Sequence, residues 1–252
     1  MKKLRILVTN DDGVSVGLQA LADAVSNQGH EVFIATTANH SSGSSKSISF
    51  RTKYKLVELF GRYSAVIVDS TPATAVGVVL DSFDKSFDFI LSGVNSGPNL
   101  GLWDVLSSGT VGAVLEATIR GFKGIAVSLV ARAWSDYKNF DYDVYYRAAR
   151  VAVGILEKLS EAKWEAPLLN VNVPAWTLRG VAVAILEQGM HTEVYTCHQD
   201  ECDMSRWTLE QAYSCVTPGS DVCLVKEGYA TVTPLSFIST VKTEWLTKIL
   251  IG

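Results

Sequence analysis

Leu4-Arg5-Ile6-Leu7-Val8-Thr9-Asn10-Asp11-Asp12-Gly13 is a nearly unbroken apolar run, rich in branched side chains, that stops at a polar turn. Apolar residues without alternation over 4–9 predict a strand buried on both faces, as in a parallel sheet. Beyond the turn, Leu18, Leu21, Ala22 and Val25 recur at i, i+3, i+4 and i+7, the stripe of an amphipathic helix. Gly29 ends that helix, and 31–36 reads as a second buried strand, so the chain opens with a βαβ unit.

The alternation continues outward. Strands are expected near 54–59, 64–68, 87–92, 124–129 and 168–173, with helices over 72–81, 110–120 and 140–159. This order predicts an α/β fold, a Rossmann-like doubly wound and mostly parallel sheet whose ligand site lies beyond the carboxyl ends of its strands. After Pro174 the texture changes. Segments 181–186 and 229–234 read as strands, but the residues between them are polar and cysteine-bearing and lack helical periodicity. They predict a C-terminal extended β-hairpin arm, protruding at about 187–220 from a single domain spanning 1–252.

At 252 residues the chain can bury roughly three quarters of its unfolded surface. Its 48% hydrophobic and 19% charged residues are those of a globular protein. A formal net charge of -4 gives no general basic surface, which argues against a nucleic acid polymer as partner. No apolar window is long enough for a membrane span, and the apolar run after Lys2 and Lys3 is too short for a signal peptide, so a cytoplasmic protein is expected. Cys197, Cys202, Cys215 and Cys223 match no paired zinc spacing and are expected to be reduced thiols in that compartment, a disulfide within a hairpin being the lesser reading.

Four loops carry chemistry. Asp11 and Asp12 sit where the first strand ends, and two carboxylates converging in a loop make a hard oxygen site for Mg²⁺ or Mn²⁺; the plainer reading is a turn. Ser92-Gly93-Val94-Asn95-Ser96-Gly97-Pro98-Asn99 follows another apolar strand, where the Asn95 amide oxygen can complete a metal shell. Ser108, Gly109 and Thr110 precede a helix, as either a phosphate cradle at its N-terminus or an ordinary cap. The serine-rich run 41–47, with His40 beside it, offers hydroxyl contacts or a flexible loop. Walker A, Gly-x-Gly-x-x-Gly and Gly-x-Ser-x-Gly signatures are absent, and the four histidines show no metal-ligand spacing.

These motifs, in this order, resemble the SurE family of metal-dependent 5′-nucleotidases. The likeness runs from Ile6 to about Leu235, strongest at Thr9-Asn10-Asp11-Asp12-Gly13, Ser92-Gly93-Val94-Asn95 with Asn99-Leu100-Gly101, and Ser108-Gly109-Thr110-Val111. Weaker support comes from Leu169-Asn170-Val171-Asn172-Val173-Pro174 and from 228–235. The resemblance implies one divalent metal ion per subunit, Mg²⁺ or Mn²⁺, on Asp11, Asp12, Ser42 and Asn95. It also implies nucleoside monophosphate substrates and a homodimer or homotetramer joined through the C-terminal arms. Two stretches depart from the family pattern: the loop before Ser42 lacks the usual Asp and Arg, and Thr74 stands where an Asp is common. A broad phosphatase or exopolyphosphatase, and a non-catalytic nucleotide-sensing oligomer, are the alternatives. Trp103 is the candidate for stacking on a base.

Overall fold

In the computed structural model, residues 2–83, 86–189, 195–204 and 207–236 are described. The opening βαβ unit forms as expected: β1 (Arg5–Thr9), α1 (Val16–Asn27) and β2 (Glu31–Thr37). Ser15 starts α1 by accepting a hydrogen bond from the Leu18 amide. β3 (Tyr54–Leu59), β4 (Tyr63–Val68), α2 (Pro72–Ser82) and β5 (Phe89–Ser96) follow. Next come α3 (Gly101–Ser107), α4 (Gly109–Ile119), β6 (Lys123–Val130), α5 (Tyr142–Leu159), β7 (Leu168–Pro174) and β8 (Gly180–Val183). β9 (Thr196–His198), β10 (Glu201–Asp203), α6 (Leu209–Ala212), α7 (Asp221–Lys226) and β11 (Tyr229–Leu235) complete the described order.

Among the described residues, nine strands form one sheet in the order β3-β4-β2-β1-β5-β6-β7-β11-β8. Only β3 against β4 and β11 against β7 run antiparallel in it. The fully buried Ile6, Leu7 and Val8 occupy the centre, with α1 and α5 packed on one face and α2 and α4 on the other. From β1 the chain passes to β2 on one side, and later to β5 on the other. The gap between the ends of β1 and β5 is therefore the topological switch point, where ligands bind in open α/β sheets.

The helix expected over 140–159 begins later, because the Asp141 side chain accepts from the Val144 amide and caps α5; a 3-10 turn, Trp134–Asn139, precedes it. No described helix is long and apolar enough to cross a membrane. The C-terminal hairpin is present as β9 and β10.

The cysteines correct an expectation. Cys197 pairs with Cys202 and Cys215 with Cys223, rather than standing as reduced thiols. β9 and β10 place Cys197 directly opposite Cys202, with Cα atoms 4.0 Å apart, a proximity that a bare five-residue separation does not reveal. The second bridge ties the segment after α6 to α7.

Candidate active site

β1 delivers Asp11 and Asp12 to the switch point, and β5 delivers Asn95. Register between β5 and β6 shifts between Ser92, opposite Ala126, and Asn95, opposite Ser128. That bulge puts one extra residue into β5, resets the side-chain alternation and so aims Asn95 at the site. The Asn95 amide nitrogen donates to the Gly97 carbonyl at 2.9 Å, while its Oδ1 is buried with no partner.

Asp11 is buried. Thr110 holds it with two donors, its hydroxyl at 2.5 Å from Oδ1 and its amide at 3.1 Å from Oδ2. The first turn of α4 thus spends one of its open N–H groups on a carboxylate of the chain itself. Ser108 is the cap, accepting from the Val111 amide at 3.1 Å. Gly109 lets the helix come this close: a Cβ there would lie 2.7 Å from Ser44 Oγ and 2.9 Å from Asp11. Burial, and then the neighbouring Asp12, push the Asp11 carboxyl up to about 6 against the pull of the Thr110 hydrogen bond.

Asp12 accepts from the Ser96 amide at 3.1 Å and sits 3.0 Å from His40 Nε2. That hydrogen bond raises the His40 pKa. The same nitrogen lies 3.2 Å from Ser42 Oγ. His40, noticed in the sequence only as a neighbour of the serine run, therefore bridges a carboxylate and the serine loop. The loop is anchored rather than free: Ser41 N–H donates to the Asp11 carbonyl at 2.7 Å, Ser45 N–H to the Ser107 carbonyl at 2.9 Å, and Lys46 pairs with buried Glu116 at 2.5 Å.

The Asn99 segment is fixed from below. Asn170 and Asn172, on one face of β7, both donate to the Asn99 carbonyl, and the Asn99 amide donates to Asn172 Oδ1 at 2.9 Å. Thr74, the departure in α2, accepts from the Ser49 amide at 3.0 Å and does not line the cavity described next.

A cavity of about 440 Å³ opens over these groups. Asp11, Ser42, Asn95 and Ser108 line one end of it, with Trp103 alongside. Gly109 and Thr110 stand behind Asp11, and Asp12 reaches the cavity through His40. Each of the four loops thus reaches this cavity or a residue that lines it. What the sequence reading missed is the aromatic end of the lining, where Trp134, Trp207 and Tyr213 cluster and to which Tyr195 and Met204 add. Aromatic residues in the polar stretch after Pro174 were the available signal for Tyr195, Trp207 and Tyr213. Of the other histidines, His30 is buried and His198 lies on β9, while His191 falls outside the described residues.

Fold and site together define the class: an α/β enzyme that gathers charged side chains beyond its strand ends at a switch point. A family model described as "Survival protein SurE" matches residues 6–194. A 5′-nucleotidase SurE of Clostridium beijerinckii is 32% identical over 243 residues, 93% of each chain. One from an Anaeromyxobacter species is 37% identical over 240 residues, covering 92% of this chain and 89% of that protein. The crystal structure of a SurE protein from Aquifex aeolicus matches with a TM-score of 0.80 at 28% identity, over 98% of this chain and all of that one (100%). The chain belongs to the SurE family, and with it to a family of hydrolytic enzymes.

Proposed function

We propose that this protein hydrolyses nucleoside 5′-monophosphates to nucleoside and phosphate with one divalent cation, Mg²⁺ or Mn²⁺, held by Asp11, Asp12, Ser42 and Asn95. The observation that carries the reading is the buried, unpartnered Asn95 Oδ1 beside two carboxylates. An orphaned acceptor next to crowded negative charge suits a hard cation, and its oxygen donors are the chemistry Mg²⁺ and Mn²⁺ take. When bound, the ion supplies charge stabilisation for the phosphoryl oxygens and activation of water.

The chain's own residues do the rest. Thr110 fixes the orientation of Asp11, and the Ser96 amide and His40 fix Asp12, so both carboxylates are set before substrate arrives. Ser108 caps α4 through its oxygen lone pair, leaving its hydroxyl hydrogen for a phosphoryl oxygen. The first-turn amide that remains for the same task is that of Gly109. Adjacent, fully engaged aspartates are better placed as fixed charge than as nucleophiles, so water is the attacking group. Its oxygen bonds to phosphorus, the bond to the ribose 5′ oxygen breaks, and a proton passes to that oxygen as nucleoside and phosphate leave. As the resemblance implies, the enzyme assembles as a homodimer or homotetramer through its arm.

The test is phosphate release from nucleoside monophosphates, sugar phosphates and polyphosphate, with chelator and with added Mn²⁺. Release from adenosine monophosphate that chelator abolishes and Mn²⁺ restores is expected. Binding of nucleotide without release under any metal would overturn the enzymatic reading, and release from polyphosphate alone would move it to an exopolyphosphatase.

A further inference from the structure

The aromatic end of the cavity has a construction of its own. Trp134, Tyr195 and Met204 are 43%, 61% and 41% exposed, a cost for large apolar side chains that a ligand would offset. They are also held in place. The Trp134 amide donates to the Trp207 carbonyl at 3.2 Å, and the Leu209 amide to the Arg132 carbonyl at 2.7 Å, so two distant segments are laced side by side. The Trp134 and Trp207 rings lie 6.3 Å apart, and Trp207 meets Tyr213 edge-on at 6.0 Å. The Tyr213 hydroxyl in turn donates to buried Asp104 at 2.8 Å.

Tyr195 and Met204 come from the β9–β10 hairpin. Tyr195 and Met204 flank the ladder, each one residue beyond the Thr196–Asp203 pair and two beyond a cysteine of the Cys197–Cys202 bridge. The bridge holds together the two short strands from which those residues extend, and both line the cavity.

We propose that Trp134, Trp207, Tyr195 and Met204 determine substrate specificity by holding an aromatic base against their apolar surfaces, so that purine 5′-monophosphates are preferred over pyrimidine ones. This rests on the phosphomonoesterase reading above. Stacking favours rings without reading their edges, and a larger ring covers more of the wall. The polar end and the aromatic end belong to one cavity, so a phosphate at Ser108 and a base at the tryptophans can be held by one molecule.

The experiment compares kcat/KM for adenosine monophosphate with that for ribose 5-phosphate, in wild type and in Trp134→Ala, Trp134→Phe and Tyr195→Ala. The ratio should fall about tenfold or more in the two alanine variants, mainly through KM, and stay within about threefold in Trp134→Phe. An unchanged ratio, or parallel loss on both substrates, overturns the proposal. Quenching of tryptophan fluorescence by adenosine, which carries no phosphate, tests the wall without turnover. Saturable quenching that Tyr195→Ala weakens supports it, and no quenching in wild type overturns it. Absence of phosphate release from either substrate, with adenosine quenching intact, would sink the hydrolytic reading and leave the base site standing.

Discussion

Asp11 is buried beside another carboxylate, and Thr110 keeps it aimed at the cavity. Removing its charge should therefore act oppositely on activity and stability. Asp11→Asn is expected to cost at least about a hundredfold in kcat, the scale of losing a principal electrostatic group, while melting at the same or a higher temperature because a crowded buried charge is gone. Full activity at saturating Mn²⁺ would remove Asp11 from the site. The start of α4 separates in the same way. Ser108→Ala loses the cap and should cost about 0.5–2 kcal/mol of stability. Thr110→Val keeps the amide but loses the hydroxyl donor to Asp11, so kcat should fall with the fold largely unharmed, and Thr110→Ser should restore it. Normal kinetics in Thr110→Val would leave that hydroxyl a structural role only.

Among the elements, the central strands were legible because a strand buried on both faces must be apolar throughout, as Ile6, Leu7 and Val8 are. The loops that gather at the cavity were legible from their address at the strand ends. The Thr110 to Asp11 contact was not, since 99 residues separate the pair and no local pattern encodes it. The short α3 was also missed. Its first turn is held by carboxylates, the Leu100 amide donating to Asp104 within the helix and the Gly101 amide to the distant Asp221, instead of resting on a periodic stripe. Residue Glu187, unremarked in the sequence, anchors the segment that leads into α7: the Val216 and Thr217 amides and the Thr217 and Ser220 hydroxyls all donate to it. Burial would raise its pKa, but these donors outweigh burial and hold it at about 2, below its usual 4.5. A carboxylate so depressed contributes stability above about pH 4.5 that is lost as pH falls towards about 2. Melting temperature followed from pH 7 to pH 2 should fall less steeply in Glu187→Gln than in wild type, from a lower starting value. Parallel curves would show that this carboxylate does not govern the acid limb.

Across the whole molecule, none of the buried clusters among the described residues includes a residue of 195–204. Leu209, Ala212 and Tyr213 belong to a buried cluster with Leu100 and Val130, so a deletion should stop short of Trp207. Excising 195–204 is expected to keep the cooperative melt while reducing the oligomer in sedimentation; an unchanged assembly would assign the hairpin to the cavity alone. The two ends of the cavity draw on different lengths of chain. Asp11, Ser42, Asn95 and Ser108 come from the first 110 residues, whereas Trp134, Tyr195, Met204 and Trp207 come from the remainder. On the proposed reading, reaction chemistry and ligand choice are then separable along the chain. Laboratory evolution towards a new leaving group should accumulate changes at 134–139 and 195–213, leaving the early loops as they are, and recombining late segments between relatives should exchange preference without rebuilding the reactive centre.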